Sequence, residues 1–548
     1  MKVLLLDTIT TKIVSMVYSQ TQILEKGVYL VEQLQKKHEV MNHLKAIIFV
    51  QPTEVNINYI LNELKEPKFK EYHIFFSNIL SSDLLSKLGR ADENELILQI
   101  HEYYGDYMAV NEDFFHLGIE NNNLILSSPY SKTPEANIIY DRNISGLTSF
   151  LLSIKKRPSV VRYQGSSELA RRFANDIINI IDVKEEALFD FNRQVGPLLL
   201  ILDRRDDPIT PLLTQWTYQA MVHELLGLNN NRVILRNCPG ISKDLEEVVL
   251  SSTQDDFFAK HRYSNFGDLG TAVKKLLDDY QKVSKKNENI SSIEDMQSFM
   301  ERYPEFRSKS INVSKHVAVI GELSRLSDVC QLLDISELEQ EIVCATDHSL
   351  HKQELIIKIK NPKVKIADKL RLAIIFLLRY ESFNEINEIK SLLQEKGLSS
   401  SSQLPLLNLI LTYAGDARRT PGLFSAGNNS LISKIGKSFS SVGGAQNVYT
   451  QHQPLLFHTL DAIVKGKIKD SAYPPCYPQG SQSAASNPAM AAKPSEIVVF
   501  IIGGATYEEA TKVSEFNTLN PSMKVVLGGS CVQNSNSFLH EINAAFLR

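Results

Sequence analysis

The C-terminal segment sets the hardest constraint on the fold. "EIVVFIIGGATYEEATKVSEF" (496–516) and "MKVVLGGSCV" (523–532) read as strand, helix, strand, and both strands are apolar on both faces. Strands of that kind belong to parallel sheets covered by helices on each side. A segment of about 50 residues cannot bury both faces of two such strands by itself. Partner strands must come from far upstream, and "GPLLLILD" (196–203) is of the same type. The economical solution is a discontinuous α/β domain, residues 129–240 and 495–548 sharing one sheet, with the stretch between them inserted.

The first 128 residues carry a βα rhythm of their own. "KVLLLD" (2–7), "GVYLVEQ" (27–33), "KAIIFVQP" (45–52), "YHIFFSN" (72–78) and "YMAVN" (107–111) are short runs rich in β-branched and aromatic residues, and 53–67 and 81–104 read as helices between them. The segment after the first strand, "DTITTKIV", has no glycine for close approach to a pyrophosphate, so the nucleotide fingerprint is absent from a nucleotide-like architecture.

Residues 241–478 read as an inserted helical domain, with helices near 331–345, 366–381, 384–397, 403–414 and 455–468. Within it, 264–306 reads as a charged helical hairpin around a polar turn at Lys285–Asn289, its second helix closed by Pro304. Two low-complexity stretches, 425–446 and 479–494, read as loops or linkers, the second a flexible return to the interrupted sheet.

Bulk properties exclude several classes. With 59 basic and 63 acidic side chains the net charge is −4, so no domain-wide basic excess points to nucleic acid or an anionic membrane as the main partner. Five scattered cysteines without a C-x-x-C pair fit reduced thiols. The start "MKVLLLDTIT" is too short for a signal-peptide core, and the longest apolar runs fall far below the roughly 20 residues of a spanning helix. The expectation is a soluble cytoplasmic protein.

Chemical candidates are few. In "LLLILDRRDDPITPLLTQWTYQ" (198–219), Asp203, Arg204, Arg205, Asp206 and Asp207 could hold a metal or join pieces of chain. Interleaved arginines favour pairing, since they compete for the acids a cation needs. Thr210 and Pro211 read as the start of the next helix, and Gly227 as its stop. Cys344, His348 and His351 form C-x₃-H-x₂-H without a fourth ligand. "VHELLG" (222–227) lacks the second histidine of a zincin, and no G-x-S-x-G or Walker A sequence appears. Gly503-Gly504 and Gly528-Gly529 could cradle phosphate at helix starts or simply allow tight turns; Thr506 and Glu509 form a capping box.

Four segments in order, "LLILDRRDDPITPLLTQWTYQAMVHELLGLNNNRV", "VSKHVAVIGELSRL", "NVYTQHQPLLFHTLDAIVKGKI" and "IVVFIIGGATYEEA", resemble the SM (Sec/Munc) family of syntaxin-binding SNARE chaperones, and most closely its vacuolar-protein-sorting branch. The resemblance runs from "KVLLLD" to "VVLGG". It implies an arch of two parallel-sheet α/β domains with a large helical domain inserted into the second. The implied function is a cytoplasmic, monomeric SNARE chaperone for vesicle fusion in trans-Golgi, endosome and vacuole traffic. Such a protein has no catalysis and no cofactor, and it meets membranes indirectly, through SNAREs. The alternative is a metal- or phosphate-dependent enzyme using the Asp203–Asp207 cluster or the Gly-Gly turns.

The resemblance also assigns contacts. Asp7, Thr11, Lys12 and Glu32 fall at a central cleft that grips SNARE helices. Val273, Leu276, Leu277 and Tyr280 form an apolar stripe on the hairpin, placed to template the pairing of two SNARE helices. Leu85 and Ile97 line an apolar pocket for a short N-terminal syntaxin peptide, between the helix after the fourth strand and the helix leading to the fifth, with Glu102 facing the peptide's basic residue.

Overall fold

The computed structural model describes the chain outside residues 127–132, 192–195, 289–292, 399–402, 421–422, 425–448, 450, 478–493 and 547–548. The low-complexity stretch 425–446 and nearly all of 479–494 therefore lie outside the described residues. The chain forms two compact units. One comprises Met1–Arg204, Thr459–Ala505 and Val513–Val532; the other comprises Arg205–His458, Thr506–Lys512 and Gln533–Arg548.

The first unit holds two sheets. β1 (Lys2–Leu6), β2 (Val28–Gln33), β3 (Met41–Val50), β4 (Phe69–Phe76) and β5 (Ile97–Glu102) make an all-parallel sheet in the order β2-β1-β3-β4-β5. Among its helices are α1 (Thr8–Val17), α2 (Gln20–Glu25), α3 (Glu54–Lys65) and α4 (Ser82–Ala91). Side chains from both kinds of element meet in one core, Val3, Leu5, Ile48 and Ile74 with Ile57 and Ile60 of α3 and Leu88 of α4.

Two readings of this region change. The expected helix 81–104 is α4 followed by strand β5. "LILQIHE" has apolar residues at spacings a helix could use, but β5 is an edge strand with one neighbour, so its outer residues need not be apolar. The strand expected at 107–111 joins the other sheet.

That second sheet begins with β6 (Met108–Asn111), β7 (Phe114–His116), β8 (Val160–Tyr163) and β9 (Leu198–Asp203), with α5 (Asn123–Leu126), α6 (Pro134–Ser153) and α7 (Glu168–Asn179) among its helices. β10 (Arg232–Ile234) and β11 (Glu247–Val249) form a separate hairpin in the other unit, and the sheet resumes with β12 (Pro475–Cys476), β13 (Glu496–Ile502) and β14 (Lys524–Gly529). Its order is β12-β8-β9-β13-β14-β7-β6. The C-terminal strands do share a sheet with 198–203: β13 runs parallel to β9 from Ile497↔Leu198 to Ile502↔Asp203, and parallel to β14 on its other side. Chain entering this sheet at Met108 lies ahead of residue 128. Phe115 stacks on Phe150 (centroids 3.9 Å apart) and Phe173 on Phe500 (5.5 Å) in its core.

The Gly-Gly pairs are packing devices. A Cβ on Gly528 would stand 2.2 Å from Cζ of Phe115, and one on Gly529 2.7 Å from the Ala505 nitrogen. Gly503 and Gly504 both have positive φ, 90° and 104°, where a side chain is strained.

The second unit contains α8 (Tyr218–Leu225), α9 (Asp256–His261), α10 (Phe266–Glu288), α11 (Ile293–Val329), α12 (Leu332–Cys344), α13 (His348–Lys360), α14 (Ile366–Arg379), α15 (Ile386–Glu395) and α16 (Leu406–Ala414), with a further helix at Ser535–Phe546. Thr210 and Pro211 sit in a short 3₁₀ turn, Thr210–Leu212, and the helix waits until Tyr218. The expected polar turn at Lys285–Asn289 falls mostly inside α10. Pro304 does not close its helix, since α11 continues to Val329. A proline costs an interior helix a backbone bond without obliging it to end, and Val313, Val319 and Leu323 bury its later turns.

His316 of α11 knots this unit. Its Nε2 lies 2.9 Å from Asp255, which only accepts, so Nε2 carries the proton; Nδ1, 2.9 Å from the Tyr218 hydroxyl, accepts. Asp255 also takes the Phe258 N–H at the start of α9 and an ion pair from Lys315 at 2.5 Å. Burial pulls the His316 imidazole below its ordinary value. Burial opposes the Asp255 charge, but hydrogen bonds and charge from His316 and Lys315 prevail and hold its carboxyl well below the usual range.

Both shifts make the unfolded chain bind more protons than the folded one, so stability rises with pH. His316's contribution is lost as pH falls below about 6.5, and that of Asp255 below about 4. The thermal unfolding midpoint is expected to fall as pH is lowered from about 7 to about 5, and His316→Gln to flatten that dependence. Parallel pH profiles for the two proteins would exclude His316 as its source.

Candidate partner-binding surfaces

The knot at 203–207 is occupied by its own fold. Asp203 accepts the Ser167 hydroxyl at 2.6 Å, and Nε of the buried Arg204 donates to the Gly504 carbonyl at 3.0 Å, both within the first unit. Asp206 accepts the Thr420 N–H at 2.5 Å. Asp207 accepts the N–H and hydroxyl of Thr210 and the Leu455 N–H, at 2.9, 2.6 and 3.0 Å. These last bonds stay within the second unit. Buried carboxylates with donors so placed need no cation to offset their burial.

No group of three or more His, Cys, Asp or Glu among the described residues could hold a metal ion. Cys344 ends α12, its thiol pushed up to about 11 by burial. His348 stacks on Phe383 and bonds Glu385 at 3.0 Å, while His351 bonds the Tyr380 hydroxyl at 2.7 Å. Thr506 and Glu509 close the expected capping box, at 2.9 and 3.1 Å.

Asp7, Thr11, Lys12 and Glu32 gather at the C-terminal ends of β1 and β2, where Glu32 pairs in register with Leu5. Their chemistry differs. Asp7 is buried; it caps α1 through the Thr10 N–H (2.7 Å) and also accepts from the Gln51 N–H and the Asn56 amide, each at 2.7 Å. Its carboxylate organises the sheet end and offers little to a partner. The Thr11 hydroxyl donates back to the Asp7 carbonyl at 2.6 Å. Lys12 and Glu32 are half-buried, and the Lys12 ammonium pairs with Glu120 at 3.2 Å. Glu120 was not singled out in the sequence: it is 108 positions from Lys12, and nothing local marks it.

Leu85 lies on α4 and is 46% exposed, whereas its neighbours Leu84 and Leu88 are buried. An Nζ–Oε1 distance of 2.7 Å ties Lys87 of α4 to Glu54 of α3, and α3 adds further exposed apolar side chains, Val55 and Tyr59. Ile97 and Glu102 sit on strand β5, not on a helix. Ile97 packs partly against the core of the first sheet. Glu102 is already engaged, accepting the Leu80 N–H and the Tyr104 hydroxyl at 2.7 Å each. It fixes the loop into α4 and is not a free acid for a basic peptide residue.

Val273, Leu276, Leu277 and Tyr280 share one face of α10. All four are half-buried, while Lys274, Lys275, Asp278 and Asp279 between them are exposed. α10 packs along α11.

The Sec1 family profile matches residues 2–541. Vacuolar protein sorting-associated protein 45 of Homo sapiens is 46% identical over 552 residues, spanning 100% of this chain and 93% of its own length. The protein of the same name from Saccharomyces cerevisiae is 35% identical over 562 residues, spanning 99% and 94%. The solved structure of the SM protein Vps45 in complex with the Qa SNARE Tlg2 (1-310) aligns at a TM-score of 0.90 and 41% identity, over 100% of this chain and 94% of that one. From the first strand to the last helix, the chain belongs to the Sec1 family.

Proposed function

We propose that this protein binds a syntaxin-type SNARE and promotes SNARE complex assembly for vesicle fusion in trans-Golgi, endosomal and vacuolar traffic, without catalysis or a cofactor. The observation that carries this reading is the likeness, at a TM-score of 0.90 over the whole chain, to a protein solved with a Qa SNARE bound. The divided sheet and the α10–α11 hairpin agree with it. In this reading residues 1–128 and the inserted segment 241–478 supply the SNARE contacts. No described helix is long and apolar enough to cross a membrane, and recruitment to membranes through the SNARE fits that observation.

The direct test is complex formation between the purified chain and the cytosolic part of a Qa SNARE, followed by lipid mixing between SNARE-bearing vesicles. A stable complex and faster mixing are expected. Absence of both across Qa SNAREs would overturn the reading.

Within it, Lys12→Glu places two acids together in place of the Lys12–Glu120 pair. The expected result is roughly tenfold weaker SNARE binding with an altered salt dependence; identical affinities across a salt series would remove Lys12 from the contact. Leu277→Asp interrupts the half-buried stripe of α10. It is expected to slow SNARE assembly while leaving Qa SNARE affinity nearly unchanged. Equal loss of both activities would point to a damaged hairpin.

A further inference from the structure

The turn joining α13 to α14 reads "IKIKNPKVKIADK" from Ile357 to Lys369, with five lysines and one acid. Buried Ile359 and Val364 anchor it. Lys360, Lys363 and Lys365 are exposed, and no carboxylate of the described residues lies within 4.0 Å of any of the three. Lys358 has only a distant partner, Asp334 at 4.0 Å. The one acid, Asp368, is held by the buried Arg371 at 2.8 Å, so it does not offset the lysines. Lys369 is itself buried, and desolvation followed by the Lys396 charge at the end of α15 lowers its pKa, so it stands outside the exposed set. Lys365 is the N-cap of α14 and makes no side-chain capping bond, so the positive end of the helix dipole adds to the same field.

Two isoleucines are exposed on this turn, Ile357 at 56% and Ile366 at 40%. Ile357 precedes Lys360 by three residues on α13, so an apolar and a cationic group share an exposed face there, and Ile366 directly follows the exposed Lys365 at the start of α14. A net charge of −4 for the whole chain conceals this local excess.

We propose that the α13–α14 turn is a contact site for an anionic membrane surface, with Lys360, Lys363 and Lys365 at the lipid headgroups and Ile357 and Ile366 in the interfacial layer. An acidic peptide would use the lysines but leave the isoleucines in water, whereas a bilayer rewards both kinds of side chain. A nucleic acid would call for stacking groups, and residues 357–369 contain no aromatic. Such a patch binds reversibly and gains stable attachment only beside a second anchor.

The test uses the full chain with protein-free vesicles, so it does not depend on the SNARE reading. Flotation is expected with mixed phosphatidylcholine/phosphatidylserine vesicles and not with phosphatidylcholine alone, weakening as salt is raised. Lys360→Gln, Lys363→Gln and Lys365→Gln together are expected to lower partitioning about a hundredfold. Ile357→Ser with Ile366→Ser should lower it as well while leaving the salt slope intact. All five positions are exposed, and unchanged thermal unfolding would show that the variants fold. Equal flotation on both vesicle types, undiminished flotation of the triple variant, or capture by soluble polyglutamate without vesicle binding would each overturn the proposal, the last in favour of an acidic protein partner.

Discussion

Arg371→Met is expected to destabilise the second unit by about 3–5 kcal/mol. Arg371 is buried on α14, and its guanidinium reaches four oxygens: Glu339 at 2.9 Å, Asp368 at 2.8 Å, the Leu212 carbonyl at 3.0 Å and the Thr214 hydroxyl at 3.0 Å. Glu339 on α12 is sealed from solvent and also accepts the Thr214 N–H at 2.7 Å. Burial pushes its carboxyl upward, against the pull of Arg371 and Thr214. Methionine fills much of the arginine's volume, so the loss would come chiefly from the stranded acid and not from a cavity.

The single tryptophan of the chain reports on this place. Trp216 is buried and donates to the Ser336 hydroxyl at 2.8 Å, one turn from Glu339 on the same helix. Its fluorescence during urea unfolding reads the midpoint. Adding Glu339→Gln to Arg371→Met keeps an acceptor for Thr214 and removes the stranded acid, and is expected to recover part of the loss. A single-variant loss below about 1 kcal/mol would mean that the pair behaves like an exposed one.

The interrupted sheet was legible because burial leaves a mark on the sequence. Strands covered on both faces are continuously apolar, and β9, β13 and β14 announce themselves in that way. Helices α12, α14, α15 and α16 were legible from period and length. α13 was not: Leu355 and Ile359 are buried between lysines and glutamates, and the pattern lacks a broad apolar face. Nor could the sheet of β6 and β7 be read, since Phe114 pairs with Leu527, more than 400 positions away.

At the candidate sites the limit was chemical. Asp7 follows a strand, where an acid serves a ligand or a helix cap equally well. The donors from Gln51 and Asn56 come from another strand end and helix, which no pattern around Asp7 announces. The engagement of Glu102 was hidden for a similar reason. Its role depends on Leu80 and Tyr104, which only the turn from β4 into α4 and the end of β5 bring to it.

Leu85→Arg is expected to abolish binding of a syntaxin N-terminal peptide, by a hundredfold or more, while leaving the melting temperature nearly unchanged. Leu85 stands 46% exposed on α4, and an arginine there can extend into water beside the Lys87–Glu54 pair. One position earlier, Leu84 is 8% exposed and packs into the sheet core. Leu84→Arg would bury a charge and cost several kcal/mol, so the two adjacent variants separate a binding defect from a folding defect. The engagement of Glu102 adds a condition. If the loop into α4 shapes the pocket, Glu102→Gln should weaken the peptide modestly, through loss of the charged acceptor for Leu80, and should do so equally for peptides with and without a basic residue. A Leu85→Arg protein with wild-type peptide affinity would move the pocket away from α4, leaving the exposed side chains of α3, Val55 and Tyr59, as the place to look.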